Sequence, residues 1–272
     1  MNYVLGTVRA SAWPSLFDCA LRYYYEQIMG LRTPSSGAAK LGTAIHAGTA
    51  AFDRGRLDGG VPITVDDAAG VVVDELRSDG EATVWDDDLS KREAEPIGIK
   101  LTATYCQTIA PTRTYEAVEL QCEALHITTE HGVIRLTGKT DRVRNTPDGK
   151  GISDLKSGKR AVEGIVEGKP RAVVKGHHLQ LGVYRLMAEA AISEPMTGPD
   201  EIIGLQTSGK GHVAVAEVRN STTPLLGTAE NPGLIEIAAA MLKSGIFPPN
   251  PRSMLCSKKF CGGWDRCQFK GE

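Results

Sequence analysis

Apolar and polar residues alternate along the chain in two ways, first with a helical period and later with the two-residue period of a strand. Residues 11–30 carry apolar side chains at helical spacing, with a serine and a proline near the start and a glycine at the end. This predicts one amphipathic helix. A second helix is predicted from about residue 39 to residue 56, and residues 66–110 are expected to be mainly helical. Three residues are expected to interrupt that last stretch: Gly70, Gly80 and Pro96.

The pattern changes at residue 115, where short segments rich in valine, isoleucine and threonine are separated by His–Gly and Pro–Asp–Gly turns. These segments predict an antiparallel meander of three strands at 115–130, 132–145 and 150–158. Further elements are predicted downstream: a helix at 172–192, strands at 201–208 and 212–220, and a helix from Pro232 to Gly245. We therefore expect an α/β (α+β) fold, a mixed sheet flanked by helices, with an irregular tail rich in proline, glycine and lysine.

The composition is that of an ordinary globular protein, with 272 residues, 41% apolar and 24% charged. The formal net charge of −2 gives no global attraction to nucleic acid, although a local basic groove or bound metal ions could supply one. No apolar run approaches the roughly 18–20 residues of a membrane helix, and the first residues lack the layout of a signal peptide. We expect a cytoplasmic protein with no membrane partner, whose reduced cysteines are available to metals.

Two acidic residues and a lysine form the most informative group in the sequence. Asp141 lies in one predicted strand, and Asp154 and Lys156 lie two apart in the next, so that both point to one face of that strand. Two converging carboxylates repel unless a cation lies between them, and their hard oxygens suit Mg²⁺ or Mn²⁺. A lysine on that face can stabilise charge on a phosphate. The alternative is an exposed ion pair, which would contribute little.

Two helical segments carry further candidates. His46 lies in the second helix among small residues, which would let a metal site or another backbone approach. Gln180 and Tyr184 are four residues apart and therefore share one helical face. Each feature alone is also typical of a packed helix, but their order along one chain is more specific.

In that order the motifs resemble the RecB-type branch of the PD-(D/E)XK nuclease superfamily, especially the CRISPR-associated RecB-like exonucleases and their stand-alone phage relatives. The pattern is a Gly-x-x-x-His helix, a Gly-x-x-Asp-Arg strand, an Asp-x-Lys strand and a Gln-x-x-x-Tyr helix. Here the four motifs are Gly42 to His46, Gly138 to Arg142, Asp154–Leu155–Lys156, and Gln180 to Tyr184.

The resemblance implies a role for each matched residue. His46, Asp141 and Asp154 would bind Mg²⁺ or Mn²⁺ together with the backbone carbonyl of Leu155, and Lys156 would be the catalytic lysine. The remaining two matched residues, Gln180 and Tyr184, would brace the site or touch the DNA backbone. Glu119 matches a less diagnostic acidic position and is expected to be an accessory.

Six cysteines are present, and three of them lie within the irregular tail. Cys106 and Cys122 fall in apolar segments and are expected to be buried thiols. The clustered cysteines of the tail imply a metal, and by spacing alone it could be zinc or an iron–sulfur cluster. The resemblance favours a [4Fe–4S] cluster bound by one early and three late cysteines, here Cys19, Cys256, Cys261 and Cys267. Relatives often have two residues between the first two tail cysteines, whereas this chain has four.

The resemblance also implies an organisation and a function. We expect a helical N-terminal part at 1–110, a restriction-endonuclease-like PD-(D/E)XK core at 111–222, and a C-terminal helix and cluster tail at 223–272. The implied activity is a metal-dependent DNA exonuclease that favours single-stranded ends, with 5′→3′ polarity, in recombination, repair or CRISPR spacer processing. The resemblance leaves open whether the chain forms a homo-oligomer and whether it has a recombination or helicase partner. The alternative is a non-catalytic DNA-binding scaffold of the same fold that partners a helicase or an integrase.

Basic residues around the motifs would contact phosphates. Those expected to do so are Lys156, Lys159, Arg160, Lys169, Arg171 and Lys175. Tyr23, Tyr24 and Tyr25 are expected mainly to pack the first helix.

Overall fold

The alternating segments form three long antiparallel strands at the centre of one sheet. They are β4 (Thr114–Thr129), β5 (Gly132–Thr146) and β6 (Gly149–Gly158), in close agreement with the predicted meander. The computed structural model describes residues 3–78, 83–86, 89–166 and 169–270. Within these ranges, the predicted mixed sheet flanked by helices is confirmed.

Three further strands complete the sheet. They are β1 (Val4–Arg9), parallel to β5, β9 (Asp200–Gln206), parallel to β6, and β10 (Val213–Val218), antiparallel to β9. The strand β1 was not predicted, because its pairing partner lies more than 120 residues away in the sequence. Two short pairs lie outside the sheet: β2 (Ser35–Ser36) with β3 (Thr83–Val84), and β7 (Val162–Val166) with β8 (Lys169–Ala172).

Helices cover both faces of the sheet. The N-terminal segment has α1 (Trp13–Asp18) and α2 (Ala20–Tyr23), and the larger helices are α3 (Gly37–Arg54), α4 (Val65–Arg77), α5 (Lys91–Thr108), α6 (His178–Ile192) and α8 (Leu234–Ser244), with the short α7 (Thr223–Leu226) before the last. One core joins the sheet to α1, α6 and α8, and a second joins it to α3, α4 and α5. Among the described residues, no helix has the length and apolar character needed to cross a membrane.

The single helix predicted at 11–30 is wrong in one respect that matters for the cysteines. The helical segment breaks at Cys19, whose backbone is extended (φ −147°, ψ 98°), and it ends in a π-helical turn at Tyr24–Ile28. The apolar spacing is preserved on both sides of the break, so periodicity alone could not reveal it. The break separates Cys19 from the regular turns on either side.

The other predicted boundaries need three corrections. Gly70 and Pro96 do not interrupt their helices, since α4 and α5 continue through them, and both helices begin with a capping box. Pro96 is the sixth residue of α5, so the helix continues without the hydrogen bond that an amide at this position would donate to the Arg92 carbonyl. The helix predicted from residue 172 begins at His178, because β8 occupies the residues before it. Gly80 lies outside the described residues.

Candidate active site

Side chains from three elements bring potential metal ligands together at one end of the sheet. His46 comes from α3, Glu119 from β4 and Asp141 from β5, and one donor atom of each lies within 4.8 Å of the others. His46 Nδ1 is 3.4 Å from Asp141 Oδ2. These residues line an open cleft of about 780 Å³. An imidazole and two carboxylates form a donor set that fits a divalent cation such as Mn²⁺ or Mg²⁺.

Glu119 enters this group through an unusual backbone conformation. Its φ is +55°, the left-handed region that residues with a Cβ rarely adopt, in the middle of β4. Such a conformation costs about 1–3 kcal/mol and persists where the surrounding structure holds it. The neighbouring pairs Val118–Arg142 and Leu120–Thr140 keep β4 in register with β5 on both sides of Glu119, so the carboxylate is placed opposite Asp141. Glu119 also forms an ion pair with Lys139.

Asp154 is completely buried in β6 beside this group. Its Oδ2 pairs with the ammonium of Lys156, whose Nζ lies 2.9 Å away, whereas Oδ1 has no partner among the described residues. A buried carboxylate oxygen without a partner is costly, so Asp154 is expected to take up a proton or to face a second cation. Burial, together with the nearby Asp141 charge, raises the pKa of Asp154 to about 6, although Lys156 acts in the opposite direction. The unpartnered Oδ1 therefore fits a metal cation held beside His46 and Asp141.

Asp141 behaves in the opposite way, although it is buried too. Burial disfavours its charged form, but His46 and Arg142 outweigh this effect and hold the pKa of Asp141 below its usual range. Asp141 Oδ2 also accepts a hydrogen bond from the amide of Leu155 at 2.8 Å. In turn, Asp141 overcomes the effect of burial on His46 and raises the pKa of the imidazole. Asp141 is thus held ionised, whereas Asp154 takes up a proton as the pH falls through about 6.

A chain of hydrogen bonds holds Lys156 in place. Lys156 Nζ donates to Gln180 Oε1 at 2.9 Å, and Gln180 Nε2 donates to the hydroxyl of Tyr184 at 2.8 Å. Gln180 and Tyr184 lie one turn apart on α6 and are both at least nine-tenths buried. Burial, with the Lys156 charge, lowers the pKa of the neighbouring His177 to about 4, so this imidazole is neutral at neutral pH. Sequence reasoning did not single out His177.

Behind the site, a fully buried arginine ties α3 to β5. Arg142 Nε donates to Asp53 Oδ2 at 2.7 Å, and its Nη2 donates to the Thr49 hydroxyl at 2.9 Å. Thr49 and Asp53 belong to the same helix as His46, and Arg142 follows Asp141 directly in the chain. The pairing therefore sets the distance between the two elements that carry His46 and Asp141.

The structure separates the predicted ligands into two sets. His46 and Asp141 join Glu119, which sequence reasoning had treated as an accessory, in one group of donor atoms. Asp154 belongs to no such group among the described residues and instead contacts Lys156. Glu119 lies opposite Asp141 because the register of β4 against β5 shifts by one residue between Cys122 and Leu125, and the alternation of apolar residues does not predict that shift.

The four predicted cluster ligands also come together. Cys19, Cys256, Cys261 and Cys267 line one small cavity between the N-terminal helical segment and the tail. The amide of Asn250 donates to Cys19 Sγ at 3.3 Å, which is the kind of hydrogen bond that stabilises a thiolate ligand. Within the described ranges, no three cysteine sulfurs lie within 4.8 Å of one another. Cys106 and Cys122 are buried elsewhere.

The tail reaches this position through contacts of its own. The Asn250 side chain donates to the Asp18 carbonyl at 2.8 Å, and the Ser253 hydroxyl donates to the Asp18 carboxylate at 2.6 Å. A side chain at Gly262 would overlap the carbonyl of Leu31, so glycine is needed for this close approach. The two ends of the chain are therefore packed together by protein contacts as well as by any bound group.

The chain resembles known proteins in both its sequence pattern and its fold. The sequence pattern of the PD-(D/E)XK nuclease superfamily matches residues 10–270. No curated protein sequence is significantly similar to the chain. The crystal structure of a "Putative exonuclease" from Eubacterium rectale is similar with a TM-score of 0.52 and 14% identity, over 97% of this chain and 89% of that one. The crystal structure of SSO0001 has a TM-score of 0.41 and 13% identity, over 98% and 87% of the two chains. The first likeness concerns the fold alone.

Proposed function

The chain belongs to the PD-(D/E)XK nuclease superfamily, and from this premise we propose that it is a Mg²⁺- or Mn²⁺-dependent DNA exonuclease of the RecB-like type. The observation that carries the proposal is the group formed by His46, Glu119 and Asp141, with the buried carboxylate of Asp154, paired with Lys156, beside it. A protein that only bound DNA would have no use for a costly buried carboxylate next to two others.

Each residue has a defined task in this proposal. His46, Asp141 and Asp154 would hold the cation together with the Leu155 carbonyl, and Glu119 would be a further ligand. A bound divalent cation would polarise the phosphate and activate a water molecule for hydrolysis. Lys156 donates to the phosphate oxygens, where negative charge develops. Gln180 and Tyr184 keep the lysine ammonium aimed at the cleft through their hydrogen bonds.

Substitution of Lys156 by alanine tests the proposed catalysis. We expect the purified protein to degrade a labelled oligonucleotide in Mn²⁺ and the variant to lose cleavage while keeping its fold, as measured by circular dichroism. Arg219→Ala is a matched control, since Arg219 is exposed and pairs loosely with Asp148 at the turn before β6, away from the Lys156 end of that strand. Full activity in Lys156→Ala would contradict this mechanism. Metal-independent DNA binding with no cleavage by the unmodified protein would instead favour the scaffold that partners a helicase or integrase.

The finer features of the proposed reaction follow the family resemblance. They are a preference for single-stranded ends, 5′→3′ polarity, and action in recombination, repair or CRISPR spacer processing in the cytoplasm, with a homo-oligomer or a helicase partner open. Oligonucleotides labelled at either end and blocked at the other separate the polarities. Early release of labelled mononucleotide from a 5′-labelled strand supports 5′→3′ degradation. A ladder of 5′-labelled products that shorten progressively from the 3′ end contradicts it.

We further propose that the four cysteines hold a [4Fe–4S] cluster. Tetrahedral zinc with Zn–S bonds of about 2.3 Å would bring all four sulfurs to within about 3.8 Å of one another. No three of the cysteine sulfurs in the described residues are within 4.8 Å, and a four-iron cluster spaces its ligands more widely than a single ion does. The shared cavity and the amide donor to Cys19 support the cluster.

Spectroscopy of protein purified without oxygen separates the two metals. We expect a brown protein with broad absorbance near ~400 nm, typical of iron bound by thiolates and sulfide. A colourless protein with one equivalent of zinc would overturn the cluster and leave the nuclease proposal unaffected.

A further inference from the structure

A second polar groove lies beside the cysteine site and outside the proposed active site. It has a volume of about 400 Å³, within the range of roughly 300–1,000 Å³ typical of ligand sites. Three arginines line it: Arg9, Arg22 and Arg32. We call it the arginine groove, and it also includes Ser11, Ser15 and Thr33.

The positive charge of two of these arginines, Arg9 and Arg32, is poorly compensated. The Arg9 side chain is exposed and, among the described residues, makes no hydrogen bond or ion pair. Arg32 donates only to neutral oxygens, the Glu26 carbonyl and the Gln27 side chain, at 3.2 Å each. One carboxylate, that of Glu26, lines the groove with the three guanidinium groups. The groove therefore carries net positive charge and favours an anion.

Arg22 forms the buried wall of the groove. It is only 7% exposed, and its Nη2 donates to the Ser15 hydroxyl at 3.3 Å. Its guanidinium lies between the carboxylates of Asp18 and Glu26, at 3.7 Å and 3.9 Å. The charge that favours an anion in the groove therefore comes from Arg9 and Arg32.

An exposed aromatic ring lies at the end of the arginine groove. Phe260, in the tail between Cys256 and Cys261, lines the groove and is 44% exposed. It also lines a second cavity of about 590 Å³, whose wall includes Ser157 and Gly158. These two residues directly follow Lys156 in β6. The ring thus lies between the arginine groove and the end of the catalytic strand.

The other end of the arginine groove adjoins the active site. Ala10, between the groove residues Arg9 and Ser11, packs against Gly138, where a Cβ would lie 3.2 Å from Ala10 Cβ and 3.3 Å from the Tyr184 ring. Tyr184 lines the active-site cleft and bonds to Gln180, which holds Lys156. The groove and the cleft are therefore connected by the packing of Ala10, Gly138 and Tyr184.

We propose that the arginine groove and Phe260 together form a binding site for single-stranded DNA outside the catalytic centre. The arginines hold successive phosphates, and the Phe260 ring stacks on an unpaired base. A duplex offers no unpaired base for such stacking, so the site selects single strands. The proposal rests on the proposed function, because it takes DNA to be the substrate.

Binding is measured without catalysis, as the fluorescence anisotropy of a labelled oligothymidylate in EDTA. The logarithm of the affinity for DNA falls linearly as the logarithm of the salt concentration rises. Arg9→Ala and Arg32→Ala are each expected to make this slope less steep by about 0.7, the contribution of one phosphate contact to a single strand. Arg219→Ala removes the same charge elsewhere and should leave the slope unchanged. Equal slopes in all four proteins would overturn the phosphate contacts.

The base contact is tested at Phe260. Phe260→Ala is expected to weaken binding of the oligothymidylate about 5-fold or more, whereas Phe260→Trp restores it, because stacking needs only an aromatic face. Binding of a blunt duplex should change little in either variant. If Phe260→Trp binds as weakly as Phe260→Ala while both unfold at the temperature of the unmodified protein, stacking is excluded.

The two proposals fail in different ways. If the unmodified protein cleaves DNA in Mn²⁺ and every groove variant binds DNA equally well, the nuclease proposal stands and the arginine-groove proposal is wrong. If the unmodified protein never cleaves DNA, but Arg9→Ala and Phe260→Ala weaken its binding, the arginine-groove proposal stands and the nuclease proposal is wrong.

Discussion

The buried carboxylate of Asp154 makes the metal-free protein sensitive to pH in a way that can be measured. Because its pKa is about 6 in the folded protein, against an ordinary value of 3.8, the folded state binds this proton more tightly than the unfolded state does. The resulting stabilisation is present in full below pH 3.8 and is lost as the pH rises through about 6. Asp154→Asn removes the titration and keeps the shape of the side chain.

The size of the effect follows from the pKa difference. At about 1.36 kcal/mol for each unit of pKa, the whole effect is about 3 kcal/mol, and most of it falls between pH 4 and pH 7. The buried amide of the variant also lacks hydrogen-bond partners, which costs about 1–3 kcal/mol at every pH. The diagnostic quantity is therefore how the stability difference between the two proteins changes with pH.

Urea unfolding followed by circular dichroism in EDTA, at several pH values from 4 to 8, gives this difference. We expect the free energy of unfolding of the variant, relative to that of the unmodified protein, to rise by roughly 2 kcal/mol from pH 4 to pH 8. His46, whose pKa is also raised, titrates in both proteins and largely cancels. Asp148→Asn is the control, since that side chain is about 60% exposed.

Metal supplies the second half of the test. Added Mn²⁺ should stabilise the unmodified protein at pH 8, because a ligand that binds only the folded state raises its stability. It should stabilise Asp154→Asn much less. The reasoning is refuted if the stability difference stays constant from pH 4 to pH 8, or if Mn²⁺ stabilises both proteins equally.

Three further predictions concern the catalytic lysine, the cysteines and the buried arginine. Lys156→Ala should lower the cleavage rate by roughly 100-fold or more, as read from single-turnover kinetics, and should weaken oligonucleotide binding in EDTA far less, as read from anisotropy. Cys19→Ala should abolish the absorbance near ~400 nm, whereas Cys122→Ala should keep it; persistence in both would exclude Cys19 as a ligand. Arg142→Met should cost about 3–5 kcal/mol in urea unfolding because it strands a buried carboxylate. Arg77→Met, at an exposed pair, should cost at most about 1 kcal/mol, and equal losses would contradict the importance of burial.

The sequence by itself determined the local elements and the residue types of the site. The alternation of apolar residues placed β4, β5 and β6 within a few residues of their ends, because side chains in a strand repeat every two residues. The same period predicted that Asp154 and Lys156 share a face, and their side chains are 2.9 Å apart. The order of the motifs selected His46, Gln180 and Tyr184, each of which lies at or next to the cleft.

Only the tertiary structure decided which of these residues meet. Glu119 reaches Asp141 through a left-handed residue inside a strand, and Cys19 leaves its helix at a break that apolar periodicity does not record. Phe260 reaches the arginine groove because the tail packs against the N-terminal segment, more than 220 residues earlier in the chain. Periodicity reports contacts within a few residues, whereas these positions depend on packing between distant segments, which no local pattern encodes.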